Sequence, residues 1–208
     1  MPLESYDWAI KAYAEGAAFT AFDLETTGLD PKQDRIAEFG AVKFDRRGVI
    51  ARYATLVNPG IPMPPDAGRV NKITDAMLAG QPAIEEALPD FLRFIKDTII
   101  VAHNAPFDCG FVNASLQRLY EAGRLSRGGE TAGGRLFAES AAPWTPPFPT
   151  LPNKTADTLL MARRLFPGRE RYSLQNLAPD LGLKAEAAHR ALDDARLCME
   201  IFVRCCAI

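Results

Sequence analysis

The feature that most constrains the fold is an alternation between short apolar runs rich in β-formers and longer segments with helical apolar spacing. Runs at residues 18–22, 36–44, 49–57 and 98–102 predict buried strands. Helical spacing predicts a small helix at 8–14, helices at 83–95 and from Pro106, and a last helix from Ala191. Strands with interleaved long helices indicate an α/β fold around a central mixed sheet.

Length, charge and cysteine usage narrow the class of protein. The 208 residues, 48% of them hydrophobic, suffice for one globular domain over 1–208 with a sizeable core. The net charge of −2 lacks the basic excess of proteins that coat nucleic acid. We find no signal peptide and no apolar run of membrane-spanning length, and therefore expect a cytoplasmic location. The four cysteines lack metal-site spacing, which favours reduced apolar packing over a redox or metal role.

One region departs from the alternating pattern. Five glycines lie between residues 123 and 134, and five prolines lie between 143 and 152. We interpret about 123–153 as a Gly/Pro-rich insertion within the single domain. A polyproline ligand for a partner domain is the alternative.

Two acidic residues, Asp23 and Glu25, follow the first apolar run. Because side chains alternate along a strand, both carboxylates point to one face and Leu24 points to the other. The two charges repel each other, and nothing in the local sequence neutralises them. A divalent cation would do so, whereas a solvated acidic strand end is the alternative.

A third acidic residue, Asp108, lies in the first turn of the helix that follows the fourth strand. It heads a helical stripe with Val112, Ser115 and Leu119, so it is expected to face inward. An unpaired charge is unfavourable there. A capping aspartate favoured by the helix dipole is the alternative.

The last helix begins with two consecutive aspartates. Asp194 lies on a flank of the apolar stripe, while Asp193 lies on a more polar face, which makes Asp194 the predicted inward carboxylate. His189 precedes this helix and can approach the same site from a loop; an exposed or capping histidine is the alternative. The core stripe itself is predicted to consist of Leu192, Ala195, Met199, Phe202 and Cys206.

A fourth segment follows the Gly/Pro-rich insertion. Asp157 and Ser173 occupy helix N-cap positions, so we assign them a structural role, with Asp157 a distant candidate ligand. The excess of basic residues over 154–171 fits a solvated helix face and a phosphate track equally well.

Three motifs occur in the order D-x-E-T-T-G, H-N-A-x-F-D and H-x-A-x-x-D-A. Together they resemble the motifs of the DEDDh 3′–5′ exonucleases, a family that includes the epsilon proofreading subunit of bacterial DNA polymerase III. The resemblance covers about residues 18–206 and implies a ribonuclease-H-like fold, with a mixed five-stranded sheet flanked by helices. It implies that Asp23, Glu25, Asp108 and Asp194 bind two divalent metal ions. It also implies that His189 is the general base.

The chemistry of these residue types agrees with that resemblance. Hard oxygen ligands without thiolates select Mg²⁺ or Mn²⁺. Two such ions can activate a water molecule and stabilise the leaving 3′-oxygen of a phosphodiester. Histidine, with an unperturbed pKa of about 6.5, can accept the proton of that water at neutral pH. The expected products are nucleoside 5′-monophosphates.

The resemblance further implies contacts with the terminal nucleotide at Thr26, Thr27 and Leu29, with Phe107 packing nearby. Apolar and stacking contacts of this kind tolerate any base. Many relatives read V-H-G-I-T after the third strand, whereas this chain reads V-N-K-I-T. At this position Asn71 can still hydrogen-bond the end of the substrate strand.

The motifs leave the substrate class partly open. We expect a DNA exonuclease of proofreading or repair type that acts on a single-stranded or frayed 3′ end. An exoribonuclease with the same site is the alternative, because recognition of the 2′-hydroxyl depends on pocket shape. A non-catalytic, nuclease-like binding module is a remote third hypothesis. No long tail follows the last predicted helix, so we expect a free-standing enzyme rather than one tethered to a polymerase.

Overall fold

The computed structural model describes residues 6–124, 149–184 and 190–208. Its strands are β1 (Phe19–Thr26), β2 (Ile36–Asp45), β3 (Gly48–Leu56), β4 (Ile99–Ala102) and β5 (Thr155–Asp157). They form one five-stranded sheet in the order β3-β2-β1-β4-β5. β1 pairs antiparallel with β2 and parallel with β4, so the predicted mixed sheet is confirmed.

The helices of the described residues cover both faces of this sheet. Each predicted helix is present, including those that follow the predicted N-caps Asp157 and Ser173, and Pro106 lies in the first turn of its helix as expected. The two short helices between β3 and the helix Ile84–Ile95 were not predicted, nor was the three-residue β5 from its local pattern. The bounds are α1 (Asp7–Ala14), α2 (Pro65–Asn71), α3 (Asp75–Leu78), α4 (Ile84–Ile95), α5 (Ala105–Glu121), α6 (Thr158–Leu165), α7 (Leu174–Asp180) and α8 (Ala191–Cys206).

β1 is buried on both faces and therefore contributes to two cores. Phe22 packs against Phe91 of α4, with ring centroids 5.5 Å apart, in the core that also includes α5. On the other face Phe19 contacts Phe202 of α8, with centroids 4.9 Å apart. Burial of both faces explains why β1 is apolar at successive positions rather than at alternate ones.

α8 is more deeply buried than the sequence predicts. Leu192 and Met199 of the predicted stripe are only partly buried, whereas Leu197 and Cys198 are fully buried. The helix contacts β1 and β2 and also α1, α6 and α7, so it buries more than one stripe. As a result, Asp194 lies within the buried surface and not on its flank.

Two expectations fall largely on undescribed residues. Most of the Gly/Pro-rich insertion, residues 125–148, lies outside the described part of the chain, and so does any polyproline contact. The single-domain assignment over 1–208 stays a prediction. No helix in the described ranges combines the length and the apolar character that a membrane crossing requires.

Candidate active site

Carboxylates from two distant parts of the chain meet at the end of β1. Asp23 and Glu25 lie on one face of β1, as their alternation predicts, and Asp194 lies in the first turns of α8. Each offers a carboxylate oxygen, and these oxygens lie within 4.8 Å of one another. We call these three residues the acidic cup.

A glycine on β2 allows α8 to approach this closely. Gly40 is the sheet partner of Asp23. A Cβ atom added to Gly40 would lie 2.0 Å from the carbonyl carbon of Ala191 and 2.2 Å from the nitrogen of Leu192. Any side chain here would therefore displace the start of α8 and, with it, Asp194.

The described residues compensate the charge of the cup only in part, since Gln175 bonds to Asp194 and the charge of Arg190 acts to lower the pKa of Glu25. No hydrogen-bond donor in the described ranges reaches the carboxylates of Asp23 and Glu25. Burial and the surrounding acids, Asp194 foremost, raise the pKa of Glu25 to about 8. Burial and then the charge of Asp108 raise the pKa of Asp23 well above its usual range. Such a set of hard oxygen donors fits a divalent cation, which would supply the missing positive charge.

Asp108 lies beside the cup without belonging to its 4.8 Å group. It is 3% exposed and lies in the first turn of α5. Burial raises its pKa to about 8, and its charge acts on Asp23. The predicted inward stripe of Val112, Ser115 and Leu119 is confirmed by their burial. Metal ligation by Asp108 stays a prediction.

Three polar residues around the cup were not predicted. The side-chain amide of Gln175, on α7, donates to Asp194 Oδ1 at 3.0 Å. Glu38, the sheet partner of Glu25, pairs with Arg190 at 2.7 Å. An acid inside the apolar run I-A-E-F-G-A-V was the available signal for Glu38, since a buried charge requires a partner. His189 lies outside the described residues, so its role as general base stays a prediction.

Asp157 has the structural role that the sequence predicts. As N-cap of α6 it accepts hydrogen bonds from the amides of Leu159 and Leu160, and it also accepts from Asn104 and Ala105. It thereby fixes the turn that leads into α5 and Asp108. Ser173 occupies the N-cap position of α7, but its hydroxyl does not bond to a backbone amide there.

His103 of the second motif also holds elements together. One ring nitrogen lies 2.9 Å from the Thr158 hydroxyl and the other 2.6 Å from the Tyr172 carbonyl oxygen. Burial lowers the pKa of His103, which favours the neutral ring in these two contacts. This histidine therefore links the end of β4 to the α6–α7 region.

The T-T-G segment forms a tight turn beside the cup. Thr27 is 1% exposed, and its hydroxyl accepts from the amide of Arg35 at 2.9 Å. The hydroxyl of Thr26 donates to the carbonyl of Gly28 at 2.6 Å. Leu29 at the turn is 83% exposed. Substrate contacts by Thr26, Thr27 and Leu29 stay predictions, with Leu29 the most accessible of the three.

Asn71 contacts this turn, and Phe107 lies in the first turn of α5. Asn71 is 2% exposed; its amide group lies 3.3 Å from the Thr26 carbonyl, and its oxygen accepts from the amide of Ile73. The Asn71 side chain therefore supports the backbone of Thr26 and is not exposed at the surface. Phe107 is half-buried and packs on Phe111 at a centroid distance of 5.0 Å. Their predicted substrate contacts are not tested by this arrangement.

Several basic residues over 154–171 have contacts within the protein. Arg169 pairs with Asp180 at 3.0 Å, and Lys154 lies over the ring of Trp8. Arg163 lies over the ring of Tyr172 at 5.9 Å. These contacts favour the solvated helix face over the phosphate track.

Comparison with known proteins agrees with the fold and the cup. The sequence matches the RNase T exonuclease family model over residues 20–124 and 135–202. It is 47% identical to the DNA polymerase III subunit epsilon of Treponema pallidum, over 95% of this chain and 80% of that protein. It is 34% identical to the PolC-type DNA polymerase III of Clostridium perfringens, over 88% of this chain but 11% of that protein. The solved structure of exonuclease X with 5′-overhanging duplex DNA matches with a TM-score of 0.64 and 25% identity, over 90% of each chain.

The fold and the acidic cup define a nuclease of the ribonuclease-H-like class. The chain belongs to the exonuclease family and, within it, is a 3′–5′ exonuclease of the DNA polymerase III epsilon type. The resemblance drawn from the three motifs, the fold class and the assignment as an enzyme are thereby confirmed.

Proposed function

We propose that this chain hydrolyses phosphodiester bonds one at a time from the 3′ end of DNA and releases nucleoside 5′-monophosphates. The observation that carries the proposal is the convergence of Asp23, Glu25 and Asp194 within 4.8 Å. Carboxylates 169 and 171 residues apart in the sequence meet there. A structural role alone would favour paired or hydrogen-bonded acids, as at Asp157.

The cup and its neighbour fit two divalent cations, Mg²⁺ or Mn²⁺. Asp23, Glu25 and Asp194 would hold them together with Asp108, since all four offer hard oxygen donors. When bound, the two cations supply positive charge that activates a water molecule and stabilises the leaving 3′-oxygen. This positive charge would also attract the nucleic acid, which the chain, with its net charge of −2, lacks the basic residues to do.

The remaining work falls to side chains of the protein. Gln175 holds one oxygen of Asp194 by its hydrogen bond at 3.0 Å. His189, the residue immediately before Arg190, is the proposed general base that takes the proton of the attacking water, as its neutral ring can at pH 7. The exposed Leu29 and the half-buried Phe107 offer apolar contacts to the terminal base without selecting its identity.

DNA is the proposed substrate class. The support comes from relatives whose names describe DNA polymerase III subunits, and from an exonuclease solved with duplex DNA. An RNA substrate would use the same cup. A cytoplasmic location and free-standing activity without a polymerase stay predictions.

Digestion of labelled oligonucleotides tests the proposal. The purified chain, without a polymerase, is incubated with 5′-labelled single-stranded DNA, mismatched duplex DNA and matched RNA in Mg²⁺ or Mn²⁺. We expect a ladder that shortens from the 3′ end, 5′-monophosphate products, and faster cleavage of DNA. A faster reaction on RNA would favour the exoribonuclease, and binding without turnover would favour the binding module.

Neighbouring aspartates on α8 provide the matched variants. Asp194→Asn should abolish turnover, because it removes one carboxylate of the cup. Asp193→Asn changes the next residue of the same turn, which is only partly buried and outside the cup, and should retain activity. Equal activity of Asp194→Asn and the wild type would contradict the proposed site, as would undiminished activity of Asp108→Ala.

A further inference from the structure

The start of α8 is attached to the sheet by one buried acid. The side chain of Glu38, on β2, is 5% exposed and accepts from Arg190 at 2.7, 3.2 and 3.3 Å. The same carboxylate accepts from the backbone amide of Ala191, the first residue of α8, at 3.2 Å. Glu38 thus caps the helix from outside, since the N-cap residue Arg190 makes no cap bond with its own side chain.

This attachment lies directly beside the acidic cup. Glu38 is the sheet partner of Glu25, so two acids stand opposite each other across β1 and β2. Like charges in this position destabilise a sheet pair unless a cation compensates them. Arg190 supplies that cation on the side of Glu38, which leaves Glu25 available to the cup.

Two further contacts make the position of Asp194 depend on this attachment. The amide of Asp194 donates to the carbonyl of Arg190 at 3.0 Å, so the anchored residue begins the turn that contains Asp194. The bare backbone of Gly40 lets this turn lie against the sheet partner of Asp23. Side-chain movement cannot compensate for a shift of α8 here, since backbone lies directly against backbone.

We propose that Glu38 is a positioning residue for cation binding, which fixes the first turn of α8 through Arg190 and Ala191 and thereby places Asp194 against Asp23 and Glu25. Glu38 is not itself a ligand, because its oxygens are occupied by Arg190 and Ala191. The inference rests on the proposed function, in that it assumes cation binding at the cup.

The test is the affinity for Mn²⁺ of Glu38→Gln in the full chain, measured by calorimetry without nucleic acid. Glutamine keeps the size of the side chain but loses the charge that holds the Arg190 guanidinium. We expect affinity to fall about tenfold to a hundredfold, as when the partners that orient metal ligands are removed. Activity should fall at low Mn²⁺ and recover at high Mn²⁺. Glu38→Asp, which keeps the charge on a shorter side chain, should be intermediate.

The same strand offers a matched control at its other end. The side chain of Asp45 is 7% exposed and accepts from Arg47 at 2.8 and 2.9 Å and from the Arg47 amide at 2.7 Å. It repeats the chemistry of the Glu38 attachment at the β2–β3 turn, away from the cup. Asp45→Asn should therefore lower stability without changing Mn²⁺ affinity.

The outcomes separate this inference from the proposed function. Wild-type protein that binds Mn²⁺, with Glu38→Gln binding equally well or changed no more than Asp45→Asn, would overturn the positioning role alone. Wild-type protein that binds no Mn²⁺ would overturn the proposed function and this inference together. A selective loss in Glu38→Gln, with Glu38→Asp between it and the wild type, would support the role.

Discussion

Two buried acidic regions of this molecule differ in how their charge is satisfied. Asp157 is 4% exposed, and its carboxylate accepts hydrogen bonds from four backbone amides at 2.9 to 3.4 Å. In the acidic cup, Asp23 and Glu25 receive no donor from the described residues, and burial and neighbouring acids raise the pKa of Glu25 to about 8. Burial alone does not distinguish the two regions, whereas the presence of donors does.

The difference indicates what each region does. A carboxylate surrounded by amide donors is stabilised in its charged form by the fold and can be structural. A cluster of carboxylates with few donors makes the metal-free fold less stable and favours the binding of an external cation. The predictions below test whether the two regions separate in this way.

The largest expected effect is on catalysis in the cup. Asp23→Asn should lower the rate about a thousandfold or more, since loss of a proposed cation ligand would remove several kcal/mol of transition-state stabilisation. Its melting temperature without metal should rise rather than fall, because one repelling buried charge is removed. Exonuclease rates and thermal unfolding in EDTA measure the two effects. A fall in melting temperature would show that Asp23 is compensated in the fold, as Asp157 is.

The opposite pattern is expected for Asp157→Asn. An amide NH₂ in place of one carboxylate oxygen would face a backbone donor and leave it unpaired, at a loss of about 1–3 kcal/mol. This corresponds to a fall in melting temperature of roughly 2–10 °C for a chain of this size. Activity well below the melting temperature should stay within about tenfold of the wild type. Loss of Mn²⁺ binding in this variant would instead place Asp157 among the ligands.

The pH dependence of stability should also distinguish the acidic cup from the Asp157 region. Glu25 and Asp108 have folded pKa values of about 8 without metal, against about 4 when unfolded. Between these values the folded state binds more protons, so the free energy of unfolding should decrease as pH rises from about 5 to about 8. Denaturant titrations in EDTA across this range measure the slope. Glu25→Gln should reduce it, and a slope of the opposite sign would contradict the raised values.

The smallest expected effect lies at the exposed edge of the cup. Leu29→Ser should raise the KM for single-stranded DNA less than about tenfold, because it removes one proposed apolar contact with the terminal base. Stability should be unchanged, since the side chain is 83% exposed. Steady-state kinetics with kcat as the internal comparison checks this. A fall in kcat with unchanged KM would assign Leu29 a role beyond contact with the base.

Much of this architecture could be predicted from the chain. Strand alternation placed Asp23 and Glu25 on one face, and helical periodicity identified Asp108 and Asp194 as the inward carboxylates. The motifs predicted the family and the five-stranded sheet. The strand and helix signals are local, because each depends on the spacing of residues a few positions apart, whereas the family was indicated by the three motifs taken together.

Other features depend on contacts between distant segments. The attachment of Arg190 to Glu38 joins residues 152 positions apart, and no local pattern pairs them. The full buried surface of α8 could not be predicted either, because it also contacts three helices, α1, α6 and α7. β5 has only three residues and exists through its pairing with β4.

The sequence alone established which acids are present, which faces they occupy and which family they indicate, and it also predicted the N-cap position of Asp157. The donors that come from distant segments were visible only in three dimensions, because Asn104 and Ala105 donate to Asp157 from 53 and 52 positions away and Arg190 donates to Glu38 from 152 positions away. Charge compensation is set by three-dimensional proximity. Spacing along the chain carries no information about it once the partners lie on different elements.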